Sequence, residues 1–308
     1  MSINYAEQYA SALANAYPYV LNFGALWSTE NSSKYKVVDA KTIKIPNLST
    51  GGRTDGSRES IADFTRNFDN DWETKTLSHH RMWQTLAHPK DIDETNQVAS
   101  IQNLTKTMNE TQKFPEMDAY LVSQLYTLRN TQEAFTPIAK DSLTKDNVLA
   151  KFDEMMAEMD EALVPLQGRK LYVDTYTKKL INNATELALR RTTGTKNIDR
   201  TVSRIDEVEI ISVPTKLMKT KYSFTKGWAV AEDALQIKML LVHPSCVLPI
   251  VSYEFAELQP PSAMSQGKYV YYEESFEDVF ILNKKHKGIQ MLIESASSGG
   301  TPSGGETS

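Results

Sequence analysis

The chain has 308 residues, an apolar share of 40%, a charged share of 24% and a formal net charge of −5. A body of this length can bury roughly 75% of its unfolded surface and needs no staple to fold. With Cys246 as the only cysteine, an intramolecular disulfide and a zinc site built on cysteine pairs are both excluded. The composition is neither collagen-like nor disordered, no run reaches the ~18 apolar residues of a membrane helix, and the acidic balance argues against a dedicated nucleic-acid binder.

Residues 1–33 hold no Lys or Arg. Secretory, twin-arginine and transit leaders all need basic residues, so none is expected, and neither is a basic nucleic-acid arm. Tyr5, Tyr9, Leu13 and Ala16 stand at helical spacing before Tyr17-Pro18 interrupts them. Leu21, Phe23, Leu26 and Trp27 follow on a segment too short to bury them alone. Two readings stand side by side: a helix packed on its own domain, or an arm that packs on a neighbouring chain.

Thr42-Ile-Lys-Ile45 alternates polar and apolar residues and predicts a half-exposed strand ending near Pro46, with a second alternating strand from Trp72 to Leu77. Between them Asn47–Asn70 is polar, with Gly51, Gly52 and Gly56 and the basic residues Arg53, Arg58 and Arg66. Loops beyond about 12–15 residues are uncommon in compact domains and are usually functional or disordered. The reading is a long projecting hairpin that lies on something else.

Asp91, with Glu94 three residues on, predicts a capping box that opens a helix. Its apolar stripe runs through Val98, Ile101, Leu104 and Met108 and resumes after Pro115 at Met117, Tyr120, Leu121, Leu125 and Leu128, so one long kinked helix or two in tandem are expected. Ser142–Leu163 is an amphipathic helix with Val148, Phe152, Met155, Met156 and Met159 on its apolar face. A strand at Lys170–Val173, a helix at Tyr176–Arg191, a strand at Asp206–Val213 and a strand-rich stretch from Ile237 to Ile293 follow. Residues 295–308 are a Ser/Gly-rich tail, disordered by composition.

Chemistry-bearing patterns are few. There is no phosphate loop, zinc helix or nucleophile elbow. His79-His80 would point to opposite faces of a strand and cannot grip one ion, and they read as surface histidines. His243 and Cys246 read as a poor nucleophile pair, with Cys246 a buried inert thiol. Asp91-x-Asp93 is explained by helix capping. No catalytic, cofactor-binding or metal-binding residue is assigned, and no enzyme activity is expected. One asymmetry remains: residues 142–163 are acid-rich, whereas 169–204 hold nine Lys/Arg against three Asp/Glu. That block could attract phosphate, pair with the acidic helix of an adjacent subunit, or be solvated surface.

The order of these parts resembles the major capsid proteins of tailed bacteriophages, the Hong Kong ninety-seven phage fold. Thr42-Ile-Lys-Ile-Pro46, the glycine-bearing loop and Trp72-Glu-Thr-Lys-Thr-Leu77 are similar to that family's extended loop. Ile92-Asp-Glu-Thr-Asn96 through Pro115-Glu-Met-Asp-Ala-Tyr120 is similar to its spine helix. Arg169-Lys-Leu-Tyr-Val173 resembles the strand entering its axial domain, and Val242-His-Pro-Ser245 with Asp278-Val-Phe-Ile-Leu-Asn283 resembles its returning peripheral strands.

The resemblance implies an α+β capsid fold: an N-terminal arm (1–35), an extended β-hairpin loop with its base strands (36–80), a peripheral domain with a long spine helix (81–140), an axial domain (141–232), returning peripheral strands (233–294) and a flexible tail (295–308). It implies a virion protein, assembled in the host cytoplasm, whose hexamers and pentamers enclose double-stranded DNA in an icosahedral shell. Its partners would be itself, a portal protein, a separate scaffolding protein and a decoration protein, with weak DNA contact, no membrane and no cofactor. The expected inter-subunit contacts are Gly51, Gly52, Arg53, Asp55, Gly56 and Arg58 in the loop and Leu21, Phe23, Leu26 and Trp27 in the arm. An encapsulin-type nanocompartment shell, which holds a cargo enzyme, is the alternative. Some members of the resembling phage-capsid family join a loop lysine to an asparagine of another chain. No lysine stands between Lys44 and Lys75 here, and arginine cannot supply that nucleophile, so no covalent link is expected.

Overall fold

The computed structural model describes residues 19–33, 35–39, 41–53, 66–94, 100–132, 143–189 and 203–294. The helical pattern of Tyr5–Ala16, the loop residues Asp55, Gly56 and Arg58, and the tail lie outside them. The chain forms two compact units, the first from Met1–Thr29, Lys90–Leu248 and Val279–Ser308, the second from Glu30–Pro89 and Pro249–Asp278.

The first unit is built on a five-stranded sheet. Its strands are β5 (Lys170–Asp174), β6 (Arg204–Ile205), β7 (Val208–Val213), β10 (Ile237–Val242) and β13 (Ile289–Ile293), in the order β13-β10-β5-β7-β6; the unit also holds a two-stranded ribbon of β8 (Tyr222–Ser223) and β9 (Ala229–Val230) and the short helix α1 (Gly24–Trp27). β5 runs parallel to β7 and antiparallel to β10, with Leu171 opposite Ile210 and Leu241. Side chains alternate between two cores. Tyr172, Leu240, Val242, Met291 and Ile293 pack with Leu121, Val122 and Leu125 on one side. Leu171, Val173, Met239, Leu241 and Leu292 pack with Phe152, Met155, Met159 and Ile181 on the other. A sheet covered on both faces needs apolar residues at every position, which is why Met239-Leu240-Leu241-Val242 is an uninterrupted run.

The first cover is a long helix in three consecutive pieces: α3 (Ile101–Met108), a π turn (Asn109–Lys113) and α4 (Phe114–Asn130). It does not begin at the expected capping box. Pro89–Glu94 forms a separate short helix, α2, and the long helix opens at Ser100, whose extended backbone lets its side chain accept from the Asn103 N–H at 3.4 Å. The helical stripe continues through Pro115 because the wider π turn just ahead takes up the missing hydrogen bond.

The second cover is α5 (Val148–Glu161) and α6 (Thr175–Leu189). Beyond α5 the chain turns through Leu163 at φ 57°, and the fully buried guanidinium of Arg169 fastens the turn. It donates to the Pro165 carbonyl at 3.0 Å and the Val164 carbonyl at 2.6 Å, and it pairs with Asp160 at 2.6 Å. Asp174 caps α6 by accepting from the Thr177 N–H at 2.7 Å.

The second unit is two three-stranded sheets. One joins β1 (Lys36–Val37), β2 (Thr42–Thr50) and β3 (Phe68–Thr76) in that order. The other places β12 (Tyr269–Ile281) between β11 (Val247–Gln259) and β4 (His79–Ala87). β12 and β11 begin or end in the first unit. β12 is one long strand through its acidic middle, because Glu273, Glu274 and Ser275 continue the ladder opposite Trp83, Met82 and Arg81.

Gly288 shows how tightly the first unit is packed. A Cβ there would lie 2.1 Å from the Cys246 Sγ and 3.6 Å from the Val164 Cγ1. Gly288→Ala should therefore cost about 1–3 kcal/mol, read as a lower melting temperature of the purified chain. Unchanged melting would show that Cys246 yields freely.

Candidate inter-subunit surfaces

The extended loop is an antiparallel hairpin in register from Thr42↔Thr76 to Thr50↔Phe68, continued by the Gly51 N–H donating to the Asn67 carbonyl at 3.0 Å. β2 extends past the expected end at Ile45. Pro46 is accommodated because β1 pairs only with Ile43 and Lys44, leaving the outer edge of β2 open from there on. A Cβ at Gly51 would meet only the tip of the exposed Asn67 side chain, 1.9 Å from its Oδ1, so a larger residue there needs that side chain to swing away. Gly51, Gly52 and Arg53 are exposed.

Strand alternation gives this hairpin two unlike faces. Ile43 and Ile45 are buried at its base, and Asn47, Ser49, Asp69 and Asp71 continue that face as a polar, acidic strip. The opposite face carries Pro46 beside Trp72, Leu48 beside Asn70, and Phe68, over whose ring the Arg66 guanidinium lies at 4.7 Å. Leu48, Phe68 and Trp72 are 62%, 53% and 45% exposed. Among the described residues, these three large apolar side chains stand exposed together on one face of the two-stranded hairpin, the kind of surface that marks an interaction site.

The N-terminal segment behaves differently: of the four residues expected to meet a neighbouring chain, Phe23 and Leu26 lie instead in the chain's own core, as the alternative reading of a segment packed on its own domain has it. Phe23 and Leu26 are fully buried in the first unit's own core, Trp27 packs against that core, and Leu21 is half-buried. Phe23 tilts against the Tyr172 ring at 4.6 Å between centroids. The segment is fastened by Asp118 of α4, which is fully buried. Its carboxylate accepts from the Tyr19 hydroxyl, from the Asn22 N–H at 2.9 Å, the Asn22 amide at 3.1 Å and the Phe23 N–H at 3.3 Å. Burial raises the Asp118 pKa while these donors pull it back, and burial beside Asp118 pushes the Tyr19 hydroxyl far up, so that it remains a donor. The sequence signal for this anchor was Asp118 itself, an acid set within an apolar helical stripe.

The remaining chemical candidates resolve as structure. His79 and His80 do point to opposite faces of β4. His79, expected at the surface, is instead buried, because it faces inward at the base of the strand. Burial, reinforced by Arg81, pushes its pKa down to about 3, so it is neutral beside Glu277 at 3.7 Å. His80 stacks on Phe276 and meets Glu274 at 2.6 Å. His243 bonds Ser245 at 2.8 Å and the Gln167 carbonyl at 3.1 Å. Cys246 is buried, with burial raising its thiol pKa to about 11. Arg169 and Lys170, from the basic block, pair with Asp160 and Glu209 within the chain. Among the described residues no group of acids, histidines and cysteines could hold a metal ion, and no helix is long and apolar enough to cross a membrane.

A helix-backed mixed sheet, a long helix and a projecting hairpin together define the fold of tailed-bacteriophage capsid subunits, as the sequence resemblance implied. The chain is similar to the capsid of cyanophage P-SCSP1u, with a TM-score of 0.66 and 12% identity over 91% of this chain and 90% of that one. The bacteriophage PhiM1 mature capsid gives 0.59 at 12% identity, over 83% and 82%. The acid-stable capsid of Helicobacter pylori bacteriophage KHP30 gives 0.59 at 12% identity, over 90% and 91%. No protein-family model and no curated protein matches the sequence.

Replacing Asp118 by Ala would strand several buried donors. An unsatisfied buried group costs about 1–3 kcal/mol, so Asp118→Ala should lower stability by at least that much in chemical denaturation and expose Tyr19 to quenchers. A variant of unchanged stability would mean the segment is held by Phe23 and Leu26 alone.

Proposed function

We propose that this chain is the major capsid protein of a tailed phage, assembling as hexamers and pentamers into an icosahedral shell around double-stranded DNA. The observation that carries the reading is the shared fold, over about nine-tenths of the chain, with the cyanophage capsid subunit. The hairpin supports it, because a projection with one apolar and one acidic face suits a surface supplied by the next copy. In this reading residues 51–58, with Gly51, Gly52, Arg53, Asp55, Gly56 and Arg58, lie across a neighbouring subunit. The six-part division of the chain into arm, loop, peripheral, axial, returning and tail segments then describes roles in the shell.

A shell of this kind needs a portal at one vertex and a separate scaffolding protein, and a decoration protein could bind its exterior. The mildly acidic chain fits a container whose DNA must enter and leave, since tight phosphate contacts would hold it in place. The protein acts by shape and contact, without catalysis or a cofactor, in the virion and in the cytoplasm where the shell is built.

Electron microscopy of the recombinant chain, alone and with a scaffold, should show closed particles, and deleting Ser49 to Ser60 should leave a folded, soluble subunit that closes none. A monomer under every condition would overturn the shell reading. Normal particles from the deletion would show that the loop is not an inter-subunit element. Purified particles holding a cargo enzyme in place of nucleic acid would mark a nanocompartment.

A further inference from the structure

The sheet formed by β11, β12 and β4 ends at β4 in an edge that, among the described residues, nothing blunts. Exposed strand edges are templates for pairing, and proteins usually block them with charge, proline or a bulge. The other long strands with an open edge in the second unit are blocked. β2 carries Pro46, β3 carries Asp69, Asp71, Glu73 and Lys75, and β11 carries Pro249, Glu254 and Glu257. The last six residues of β4, Met82-Trp83-Gln84-Thr85-Leu86-Ala87, have no charge, proline or glycine. Among the described residues β4 pairs with β12 alone. Met82 and Leu86 are 70% and 60% exposed, on the face that also carries Tyr253 and Phe255 against Phe276 and Tyr272.

We propose that β4 pairs antiparallel with β4 of a second copy across a two-fold axis centred on Gln84, joining two sheets into one of six strands. The occupant follows from the pattern. A two-fold axis normal to the sheet keeps each face on its own side, so the axis must pass through one residue position. Centred on Gln84, it sets Met82 opposite Leu86 twice on one face and Trp83 opposite Thr85 twice on the other. These are apolar and aromatic–β-branched pairs of the kind that stabilise a ladder. Centring on Trp83 would set Met82 against Gln84 and His80 against Leu86. Centring on Thr85 would set Leu86 against Gln84 and Met82 against His88. With Gln84 at the centre Arg81 faces Ala87, and beyond it His80 faces His88, so no two Lys, Arg, Asp or Glu of like charge meet along the strand. The contact is isologous, hence closed, and it draws on the shell reading only in that copies of the chain meet.

The test uses the full-length chain, whose own thiol is buried. Opposed residues in an antiparallel pair lie roughly 4.5–5.5 Å apart at Cα, within reach of a disulfide. Under mild diamide oxidation Gln84→Cys should run mostly as a reducible dimer, while Met82→Cys stays monomeric. Mixing Met82→Cys with Leu86→Cys should restore the dimer, independently of how Gln84→Cys folds. Dimer yields that are equal for all single variants, or absent from the mixture, would overturn the pairing. Imaging the same samples separates the two readings: particles without the disulfide would reject only the β4 contact, and dimers without particles would reject only the shell.

Discussion

The first unit depends on one strand being buried on both sides. In Lys170–Asp174, Leu171 and Val173 face the helices α5 and α6 while Tyr172 faces α4, and all three are fully buried. Neighbouring strands must match that double burial, so β10 alternates Met239 and Leu241 with Leu240 and Val242 in the same manner. The strand also ends in Asp174, fully buried, which starts α6 and lies 3.5 Å from Lys238 on the adjacent strand. Burying side chains of this size is worth about 1.5–3 kcal/mol each. A polar substitution at Tyr172 or Leu240 would therefore weaken both the sheet and its cover.

The second unit obeys the opposite rule. Its sheets are three strands wide, and large side chains such as Leu48, Phe68, Met82 and Leu86 stand exposed on them. A domain selected only for its own stability would replace these residues with polar ones at little cost, because exposed apolar area contributes nothing to folding. Their presence fits surfaces that gain partners later. The N-terminal segment is the counter-example. Its apolar residues are as concentrated, yet Phe23 and Leu26 are spent on the chain's own core, and Asp118 holds the backbone that carries them.

That contrast marks the limit of what the sequence alone discloses. Period-2 and period-3.6 patterns were legible wherever one face meets a core: the apolar face of Val148–Glu161, the hairpin base at Ile43 and Ile45, the runs at Lys170 and Ile237. They did not say which body covers an apolar residue, so Phe23 could not be told from Trp72. Boundaries failed where a weak local signal competed with a stronger one further on, as the Asp91 capping box did with Ser100. His79 was misread because its burial depends on where β4 begins relative to β12, a long-range pairing that local composition does not encode. The edge of β4 is not legible either, since Met82–Ala87 reads as an ordinary strand until its place at the end of the described sheet is seen.

Separating a firm core from soft surfaces has a thermodynamic consequence for assembly. If each copy bound its neighbours with the energy that holds β5 in place, an incorrectly docked subunit would not leave on a useful timescale, because affinity differences act mainly through dissociation. In the proposed shell, hairpin faces and a single strand edge would bury far less, so each contact would be individually reversible. A copy engaged at several such surfaces is nevertheless retained, because once one contact forms the others become intramolecular and their effective concentration rises. A closed shell then gains permanence from the number of contacts per copy. In that reading the chain keeps its folding energy in the doubly covered sheet and leaves the strands proposed to meet partners thin, exposed and correctable.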